Sequence, residues 1–407
     1  MNKGKIRVLI TDDSIVVREI LKDMIQGEPD LEIVGEAANG REAVALAESE
    51  RPDIITMDVL MPVMNGLEAV EQIMAYTPTP ILVFSSALDD KEMDVAFQAI
   101  ARGALDVLEK PKVPSGDHFD HIRRDFLDKL RMLSRIHVIS HLRGKKKRPR
   151  AQAPRPGPGD LTNQIRGPNP NGADFPDRTR QPRLDSRKTT PRKTPPEPEM
   201  AETEFETPEP DKIVETPPRE LIKRKVVAVG SSTGGPKALV QIFRRLPAEF
   251  PLPILTVQHI APSFASGLVT WLNRESPLRI VLAEDNTKPE AGAVYISPTG
   301  VHMVMDRGMI RFSEESPVNS CRPSVDVLFF SVAENYGEYS VAVLLTGMGR
   351  DGAEGMKAIK DRKGKTLIQD QATSVIFGMP KAALELGAVD AVVPLPRIPE
   401  AIMKAIK

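Results

Sequence analysis

Apolar runs of strand length alternate with amphipathic segments along the first part of the chain. Five such runs recur, and each is followed by a segment whose apolar residues fall at three- and four-residue steps, as on one face of a helix. The predicted strands are 6–10, 32–36, 53–57, 81–84 and 106–108. Repeated strand and helix units predict a parallel sheet with helices on both faces, and a site at the carboxyl ends of its strands.

The pattern stops after a predicted closing helix at 117–142. Residues 149–218 follow a short basic run and contain many of the chain's 37 prolines, few aliphatic residues, and charges that change from arginine-rich to glutamate-rich. A segment of this composition cannot bury enough apolar surface to fold, so we expect a disordered linker. The predicted organisation is therefore a first domain at 1–143, a linker at 144–222 and a second α/β domain at 223–407.

A second series of buried strands begins with the valine-rich run 225–229. It ends at a glycine-rich turn, and Pro236 suits the first position of a helix after that turn. The turn reads G-x-S-x-G from Gly230 to Gly234, a pattern typical of a nucleophilic serine, here Ser232, on a sharp elbow between strand and helix. A polar loop or a phosphate-binding turn is the alternative. The P-loop and dinucleotide patterns both fail, because their lysine and their second glycine are not in place.

A serine nucleophile requires a base. His259 follows an apolar run at 251–258 that ends as a buried parallel strand would, at the same edge as the elbow. His302 lies among the short alternating strands 294–296 and 302–305, which favour an antiparallel hairpin. His259 is therefore the predicted base.

The base in turn requires a carboxylate that orients it. Asp351 lies in a second glycine-rich loop, after a predicted buried strand at 339–345. It is predicted to orient His259, to cap the helix that begins near Gly352, or to do both. The chain order Ser, His, Asp differs from the order in α/β-hydrolases, so the same chemistry would lie on a different chain path.

Polar residues also end the predicted strands of the first domain. They are Asp12 and Asp13 after the first strand, Asp58 after the third, Ser85 after the fourth and Lys110 after the fifth. Three carboxylates at one rim repel one another unless a hard cation such as Mg²⁺ lies between them. The lysine and the serine hydroxyl would complete a pocket of phosphate size.

Composition and charge exclude several classes of function and site. The 407 residues include 55 basic and 56 acidic ones, which gives no electrostatic case for binding nucleic acid or an anionic membrane. No apolar stretch reaches the length of a membrane-spanning helix and no signal peptide is evident, so we expect a cytoplasmic protein without membrane insertion. The single cysteine, Cys321, excludes an internal disulfide framework and a cysteine-based zinc site, and is more simply a packed or surface thiol than a nucleophile.

The strand-end residues of the first domain resemble those of the receiver domain of two-component response regulators. The resemblance implies a flavodoxin-like (βα)5 fold in which Asp58 accepts a phosphoryl group from a histidine kinase of the chemotaxis type. It implies that Asp12 and Asp13 help Asp58 to bind Mg²⁺ for this reaction.

The same resemblance gives roles to the other two strand ends. Ser85 is expected to be the switch hydroxyl, and Lys110 is expected to contact the phosphate. Many receivers carry an aromatic residue three places before this lysine, whereas this chain has Val107. We therefore do not expect an aromatic rotamer switch.

Four motifs of the remaining chain resemble the chemotaxis protein-glutamate methylesterase (CheB) family. They are GSSTGG at 230–235, Gln258 with His259, RPSVDVLF from Arg322, and TGMGRDG at 346–352. The resemblance covers both domains in the same order and leaves out only the linker. It implies a doubly wound esterase domain with a mostly parallel sheet.

By position in these motifs, Ser232 would be the nucleophile, His259 the general base and Asp351 the residue that orients the base. The implied reaction is hydrolysis of glutamate methyl esters on methyl-accepting chemotaxis receptors, with deamidation of receptor glutamines as a second activity. No cofactor is implied for ester hydrolysis.

Three further residues have expected roles at this site. Backbone N–H groups near Thr233 and Met348 are expected oxyanion donors, and Arg322 is an expected contact for a substrate carboxylate.

In the family an unphosphorylated receiver covers the active site, but the linker of this chain is much longer than usual. We therefore expect weaker inhibition. The alternative is a response regulator whose second domain only binds a nucleotide or a protein partner, and replacing Ser232 would separate the two.

Overall fold

The computed structural model describes residues 4–86, 90–110, 117–138 and 212–407. Most of the predicted linker, residues 144–211, lies outside this described part of the chain. The two predicted α/β domains belong to one compact unit. None of the helices in the described residues is both long enough and apolar enough to span a bilayer.

The first domain contains a five-stranded parallel sheet with the strand order β2-β1-β3-β4-β5. Its strands are β1 (Ile6–Thr11), β2 (Leu31–Ala37), β3 (Ile54–Met57), β4 (Ile81–Ser85) and β5 (Asp106–Glu109). Its helices are α1 (Ile15–Ile25), α2 (Gly40–Glu50), α3 (Gly66–Tyr76), α4 (Asp90–Ala101) and α5 (Asp117–Leu133). The predicted (βα)5 receiver fold is confirmed, with the closing helix shorter than predicted.

Side-chain caps fix where the first three helices of this domain begin. The side chains of Ser14, Asn39 and Asn65 each accept a hydrogen bond from the backbone N–H three residues further on. Such caps satisfy N–H groups that have no partner within the helix. Each helix therefore begins close after its strand, which keeps the strand-end acids at one rim.

The second domain contains a seven-stranded parallel sheet with the order β14-β13-β12-β6-β7-β9-β8. Its strands are β6 (Val226–Ser231), β7 (Ile254–Gln258), β8 (Arg279–Leu282), β9 (Ala293–Ile296), β12 (Ser340–Leu344), β13 (Lys365–Gln369) and β14 (Ala391–Val393). The helices are α6 (Gly235–Phe243), α7 (Ala265–Glu275), α8 (Val325–Tyr336), α9 (Ala353–Asp361), α10 (Met379–Glu385) and α11 (Ile398–Ala405). The chain builds one half of the sheet outward from β7 and the other from β12, so β6 lies at the point where the winding reverses. Parallel sheets bind ligands at such a point.

The predicted hairpin around His302 is wrong in one of its strands. Residues 294–296 belong to β9, which pairs in parallel with β7 and β8. The continuous burial of β9 is typical of a strand covered on both faces. The strand of His302, β10 (His302–Asp306), pairs instead with β11 (Met309–Ser313) as a separate antiparallel hairpin. A tight turn joins them, in which Arg307 and Gly308 both have positive φ.

Residues 212–222, which the sequence analysis assigned to the linker, pack along the second domain. The Val214 N–H donates to the Arg245 carbonyl at 2.9 Å, and the Arg245 side chain donates to the Lys212 carbonyl at 3.0 Å. Lys223 continues this edge by donating from its N–H to the Ile406 carbonyl. The buried side chain of Arg245 thus anchors this segment to the second domain, although the segment has a proline-rich composition like that of the linker.

The two domains contact each other through α4 of the first and α7 of the second. Phe97 stacks on Trp271 with 5.3 Å between ring centroids and an interplanar angle of 14°, and it makes a T-shaped contact with Phe264. All three rings are fully buried. Gly267 permits the close approach, since a Cβ atom there would lie 2.8 Å from the Cβ atom of Met93.

Candidate active site

The turn after β6 leads directly from the strand into α6, as predicted, and Gly234, not Ser232, is its residue with positive φ. Gly234 has φ +77°, and a Cβ atom at Gly234 would lie 2.6 Å from the Val375 side chain. The Gly235 N–H donates to the Ser232 carbonyl at 2.8 Å, which closes the turn, and the Ser232 N–H donates to the Thr346 carbonyl at 3.0 Å. The turn therefore holds Ser232 at the carboxyl end of the central strand.

Strand pairing places His259 beside this serine. Ser231 pairs with Gln258 in neighbouring parallel strands, so Ser232 and His259 are the next residue on each. The Gln258 side-chain amide donates to the Ser232 carbonyl at 2.9 Å and to the His259 carbonyl at 2.8 Å. Its oxygen accepts from the Ser231 hydroxyl at 2.6 Å. Gln258 thus ties together the two turns that carry the predicted nucleophile and base.

The imidazole of His259 lies between a carboxylate and a thiol. Its Nε2 atom is 2.9 Å from Asp351 Oδ2, and its Nδ1 atom is 3.8 Å from Cys321 Sγ. The His259 side chain is 15% exposed and the Asp351 side chain 3% exposed. The geometry therefore pairs the predicted base with the predicted orienting carboxylate through Nε2, which leaves Nδ1 as the nitrogen that can accept a proton from serine.

Asp351 also accepts hydrogen bonds from the start of α8. Its Oδ1 atom accepts from the Ser324 hydroxyl at 2.7 Å and from the Asp326 N–H at 3.1 Å, and its Oδ2 atom accepts from the Val325 N–H at 2.7 Å. The prediction that Asp351 caps the following helix is wrong, because α9 begins after Gly352 without a side-chain cap. Asp351 instead serves the N-terminus of α8, where unpaired N–H groups favour an anion.

These contacts shift the pKa values of both partners. Burial opposes the charge on Asp351, but the hydrogen bonds from His259, Ser324 and Val325 outweigh it and lower the Asp351 pKa to about 2. Burial likewise opposes a charge on His259, but its contacts with Asp351 and Cys321 raise the His259 pKa to about 9. The resting site therefore favours an imidazolium and carboxylate pair.

The serine hydroxyl is not engaged with the base in this arrangement. Within the described residues, Ser232 bonds only through its backbone, and the Nδ1 atom of His259 faces Cys321. Proton transfer would require the serine hydroxyl to turn toward Nδ1. The structure thus brings the predicted triad residues to one edge of the sheet without the bond between nucleophile and base.

The expected oxyanion donors flank the same edge. Thr233 is buried, and Met348 is 40% exposed in the loop after β12. Neither backbone N–H donates a hydrogen bond within the described part of the chain, so both can serve an incoming oxyanion. Arg322 is exposed and donates to the backbone carbonyls of Glu314 and Glu315. Its expected role as a substrate contact stays a prediction.

The other histidine of the second domain has a structural place. His302 is 1% exposed. Its Nδ1 atom accepts from the Ser324 N–H at 3.1 Å, and its Nε2 atom lies 3.3 Å from the Ser316 carbonyl. These contacts require a neutral ring that accepts at Nδ1 and donates at Nε2. His302 therefore supports Ser324, which in turn holds Asp351.

The first domain brings its strand-end acids together as predicted. Ligand oxygens of Asp12, Asp13 and Asp58 lie within 4.8 Å of one another. Lys110 Nζ is 2.7 Å from Asp12 Oδ2 and 3.0 Å from Asp58 Oδ1. Burial, assisted by the charge of Asp12, raises the Asp58 pKa to about 6 although Lys110 opposes the shift. Three carboxylates that repel one another, two of them buried and Asp13 exposed, fit a hard divalent cation such as Mg²⁺.

Two further residues of this pocket, Lys110 and Ser85, have different partners. Burial opposes the charge on Lys110, but Asp58 and Asp12 outweigh it and raise the Lys110 pKa. The Ser85 hydroxyl donates to Glu92 Oε1 at 2.7 Å, and Ser86 donates to the same oxygen. The predicted switch hydroxyl is thus engaged with a glutamate of α4.

Sequence reasoning did not assign four residues the role of supporting the predicted triad. They are Gln258, Asn319, Ser324 and, as a neighbour of His259, Cys321. Ser324 carried a usable signal, because a serine before an apolar helical run is a typical N-cap, and it does cap α8. Nothing in the sequence pattern links the side chains of the other three to His259 or Asp351.

Comparison with known proteins agrees with this architecture. Residues 227–402 match the family model described as CheB methylesterase, and residues 8–116 match that of the response regulator receiver domain. The chain is 39% identical to protein-glutamate methylesterase/protein-glutamine glutaminase 2 of Anaeromyxobacter dehalogenans, over 98% of this chain and 96% of that protein. The chain belongs to the protein-glutamate methylesterase family.

A more distant relative of this methylesterase family has the same extent. A protein-glutamate methylesterase/protein-glutamine glutaminase of Pyrococcus horikoshii is 32% identical over 99% of this chain and 94% of its own length. The similarity therefore extends over both domains.

Solved structures of the methylesterase family are similar to each domain separately. The catalytic domain of Thermotoga maritima CheB methylesterase is 38% identical and covers 45% of this chain and 99% of its own, with a TM-score of 0.43. The response regulator domain of the same protein is 38% identical and covers 33% of this chain and 98% of its own, with a TM-score of 0.30.

Proposed function

We propose that the protein is a phosphorylation-regulated hydrolase that demethylates glutamate methyl esters on chemoreceptors and deamidates receptor glutamines. The names of its full-length relatives support both activities. The observation that carries the mechanism is the His259–Asp351 pair, placed beside Ser232 where the sheet reverses its winding.

In the first half of the reaction Ser232 Oγ attacks the ester carbonyl carbon. His259 takes the serine proton at Nδ1, while Asp351 holds Nε2–H and stabilises the imidazolium. The tetrahedral oxyanion would accept hydrogen bonds from the Thr233 and Met348 N–H groups. Collapse breaks the bond to the methoxy group, which takes the proton from His259 and leaves as methanol.

In the second half water replaces the serine. His259 takes a proton from water, whose oxygen attacks the acyl carbon, and then returns the proton to Ser232 Oγ as the ester bond to the enzyme breaks. The products are the glutamate carboxylic acid and the free enzyme. A glutamine amide passes through the same acyl-enzyme, with ammonia as the first leaving group.

The first domain would supply the regulation. Asp58 is the proposed phosphoryl acceptor, since its oxygen lies with Asp12, Asp13 and Lys110 in one pocket. Asp12, Asp13 and Asp58 would hold Mg²⁺, which neutralises charge on the phosphoryl group during transfer. Lys110 and Ser85 would contact the phosphoryl oxygens. The proposed donor is a histidine kinase of the chemotaxis type.

The domain contact offers a route from this pocket to the esterase. Ser85 and Ser86 both bond Glu92 on α4, the helix whose Phe97 stacks on Trp271. If Ser85 leaves Glu92 for a phosphoryl group on Asp58, α4 loses a contact that positions it. Weaker packing of α4 on α7 would then expose the esterase edge to a receptor.

The decisive experiment measures methanol release from receptor membranes that carry labelled methyl esters. Ser232→Ala should lower the rate by about 10⁴-fold or more, because triad residues act as a unit. Ser313→Ala, in the hairpin formed by β10 and β11, serves as the matched control and should retain the wild-type rate. More than a tenth of the wild-type rate in Ser232→Ala would reject the serine mechanism in favour of another nucleophile or a binding role.

A further inference from the structure

The side-chain amide of Asn319 bridges two buried carboxylates. Its Nδ2 atom lies 2.7 Å from Asp326 Oδ2 and 3.1 Å from Asp351 Oδ1. An NH₂ group has two hydrogens, so both bonds form at the same time. The amide orientation is also determined chemically, because the reversed side chain would set its oxygen against both carboxylates.

The backbone around Asn319 presents the amide from a tight two-residue turn. Val318 and Cys321 pair with each other through both backbone hydrogen bonds. Between them Asn319 and Ser320 have φ values of 52° and 63°. Asparagine is among the few residues other than glycine that adopt this left-handed conformation readily. The position thus suits an asparagine for both its backbone and its side chain.

Asp326 gives the bridge a fixed anchor. It lies in the first turn of α8, is 2% exposed, and accepts from the Gly355 N–H of α9 at 2.7 Å. Glycine is required at that contact, since a Cβ atom on Gly355 would lie 2.5 Å from the Cβ atom of Phe329 and 3.0 Å from the Asp326 carbonyl oxygen. Asp326 is therefore held between two helices, whereas Asp351 stands in a loop. The Asn319 amide links the helix-bound carboxylate to the loop carboxylate.

The bridge also separates two negative charges. Burial raises the pKa of Asp326 to about 6, and the charges of Asp351 and Glu354 act in the same direction, while Gly355 and Asn319 oppose them. Above that pH both Asp326 and Asp351 are ionised. Without the two N–H groups between them, their mutual repulsion would act directly against the hydrogen bonds from the start of α8 that hold the Asp351 carboxylate on His259.

We propose that Asn319 is a positioning residue of the esterase, which fixes the Asp351 carboxylate on His259 by anchoring it to Asp326. The proposal rests on the proposed function of His259 as the base. It predicts that loss of the amide lowers turnover through His259 without weakening the binding of the receptor.

Two substitutions at Asn319 separate position from charge, measured in the full chain activated by a small-molecule phosphodonor. Asn319→Gly keeps the positive φ but removes the amide. It should lower kcat about 10- to 100-fold with KM unchanged, the size expected for lost hydrogen bonds to a charged group. Asn319→Asp keeps the side-chain shape but adds a third carboxylate, and should be slower than Asn319→Gly.

Asp326→Asn tests the anchor through its charge. The new amide keeps an oxygen for the Gly355 N–H but turns an NH₂ group toward the Asn319 amide, so the bond between these two side chains is lost. The charged groups around this site are Asp351, Glu354 and His259. Removing one negative charge favours the neutral form of His259 and so lowers its pKa. The acid limb in the pH profile of kcat should therefore move to lower pH. A residue that only supports the turn would not move this limb.

The outcomes are distinct. An Asn319→Gly enzyme within twofold of wild type in kcat, with an unchanged pH profile, would overturn the positioning role even if its melting temperature fell. An Asn319→Asp enzyme as active as wild type would overturn it as well, and so would an acid limb that stays in place in Asp326→Asn. Ser232→Ala is assayed beside them: if it also retained activity, the proposed function itself would fail, and this control identifies which of the two claims is wrong.

Discussion

The Nζ atom of Lys129 lies 3.5 Å from the Oγ1 atom of Thr233, the residue that follows Ser232. Lys129 belongs to α5 of the receiver and also pairs with Asp106 of β5. A receiver side chain therefore reaches the elbow of the esterase. Thr233 is one of the two expected oxyanion donors, so the unphosphorylated receiver occupies space beside the group that a substrate carbonyl would approach.

Weakening the domain contact should raise the basal activity. Phe97→Ala removes the ring that stacks on Trp271, and aromatic pairs of this kind contribute about 0.5–1.5 kcal/mol beyond the area they bury. The unphosphorylated variant should release methanol at least several times faster than wild type, since each 1.4 kcal/mol changes an equilibrium tenfold. The fully phosphorylated rates should be similar.

The control for this variant is Glu71→Ala, which removes an exposed ion pair with Arg102 inside the receiver. Its basal rate should equal that of wild type. A basal rate in Phe97→Ala no higher than in this control would show that the contact between α4 and α7 does not restrain the esterase.

The two histidines of the esterase domain should differ in what their removal changes. His259→Ala should lower kcat as severely as Ser232→Ala, because it removes the proposed base. It should also lower the melting temperature, because it leaves the buried Asp351 carboxylate without its charged partner. His302→Ala removes a buried ring that supports Ser324, so it should lower the melting temperature and retain more activity. Reversed effects on kcat would assign the base to His302.

The sequence predicted the fold, and the common location of the three proposed triad residues, because both depend on local pattern and topology. Buried valine-rich runs identified the central strands, and parallel strands bring their carboxyl ends to one edge, which placed Ser232, His259 and Asp351 together. The misplaced strand at 294–296 shows the limit of this reasoning. A short alternating run does not specify its partner, and burial on both faces of the sheet decided it.

The roles of the residues that support Asp351 and His259 could not be predicted from the sequence, for a different reason. Asn319 and Asp326 are close to each other in the chain, but their link to Asp351 depends on how α8 and α9 pack. Cys321 is a lone thiol in the sequence, and its contact with His259 depends on the turn that carries Asn319. Contacts between loops that are distant in sequence leave no periodic signal.

Asp58→Asn should abolish labelling of the protein by a small-molecule phosphodonor. The reason is that Asp58 shares its pocket with Lys110 and two further carboxylates, a set suited to neutralising a phosphoryl group. Removal of Mg²⁺ by a chelator should have the same effect in wild type. Asp23→Asn, an exposed acid on α1, is the control. Labelling that persists in Asp58→Asn but disappears in Asp12→Asn would assign the acceptor to Asp12.

The basal esterase rate should rise with pH up to about pH 9. The base acts only when neutral, and its contacts with Asp351 and Cys321 hold the His259 pKa near 9. Below that value the neutral fraction, and hence the rate, should increase about tenfold per pH unit. Subtracting the rate of Ser232→Ala at each pH removes spontaneous ester hydrolysis. A profile that is already flat at pH 7 would show that His259 is neutral in the resting enzyme.

Asp326→Asn should stabilise the esterase domain relative to wild type at neutral pH. At pH 4 this gain in stability should be absent. The pKa of Asp326 is about 6 in the folded protein, against about 3.9 in an unfolded chain, so the folded state binds its proton more tightly. Above pH 6 the buried carboxylate is charged and destabilises the fold by roughly 3 kcal/mol, while below about pH 4 it is protonated in the folded state and this cost disappears. Calorimetric melting of both proteins at pH 7.5 and pH 4 measures the difference. An equal effect of the substitution at both values would mean that the hydrogen bonds from Gly355 and Asn319 fully compensate the buried charge.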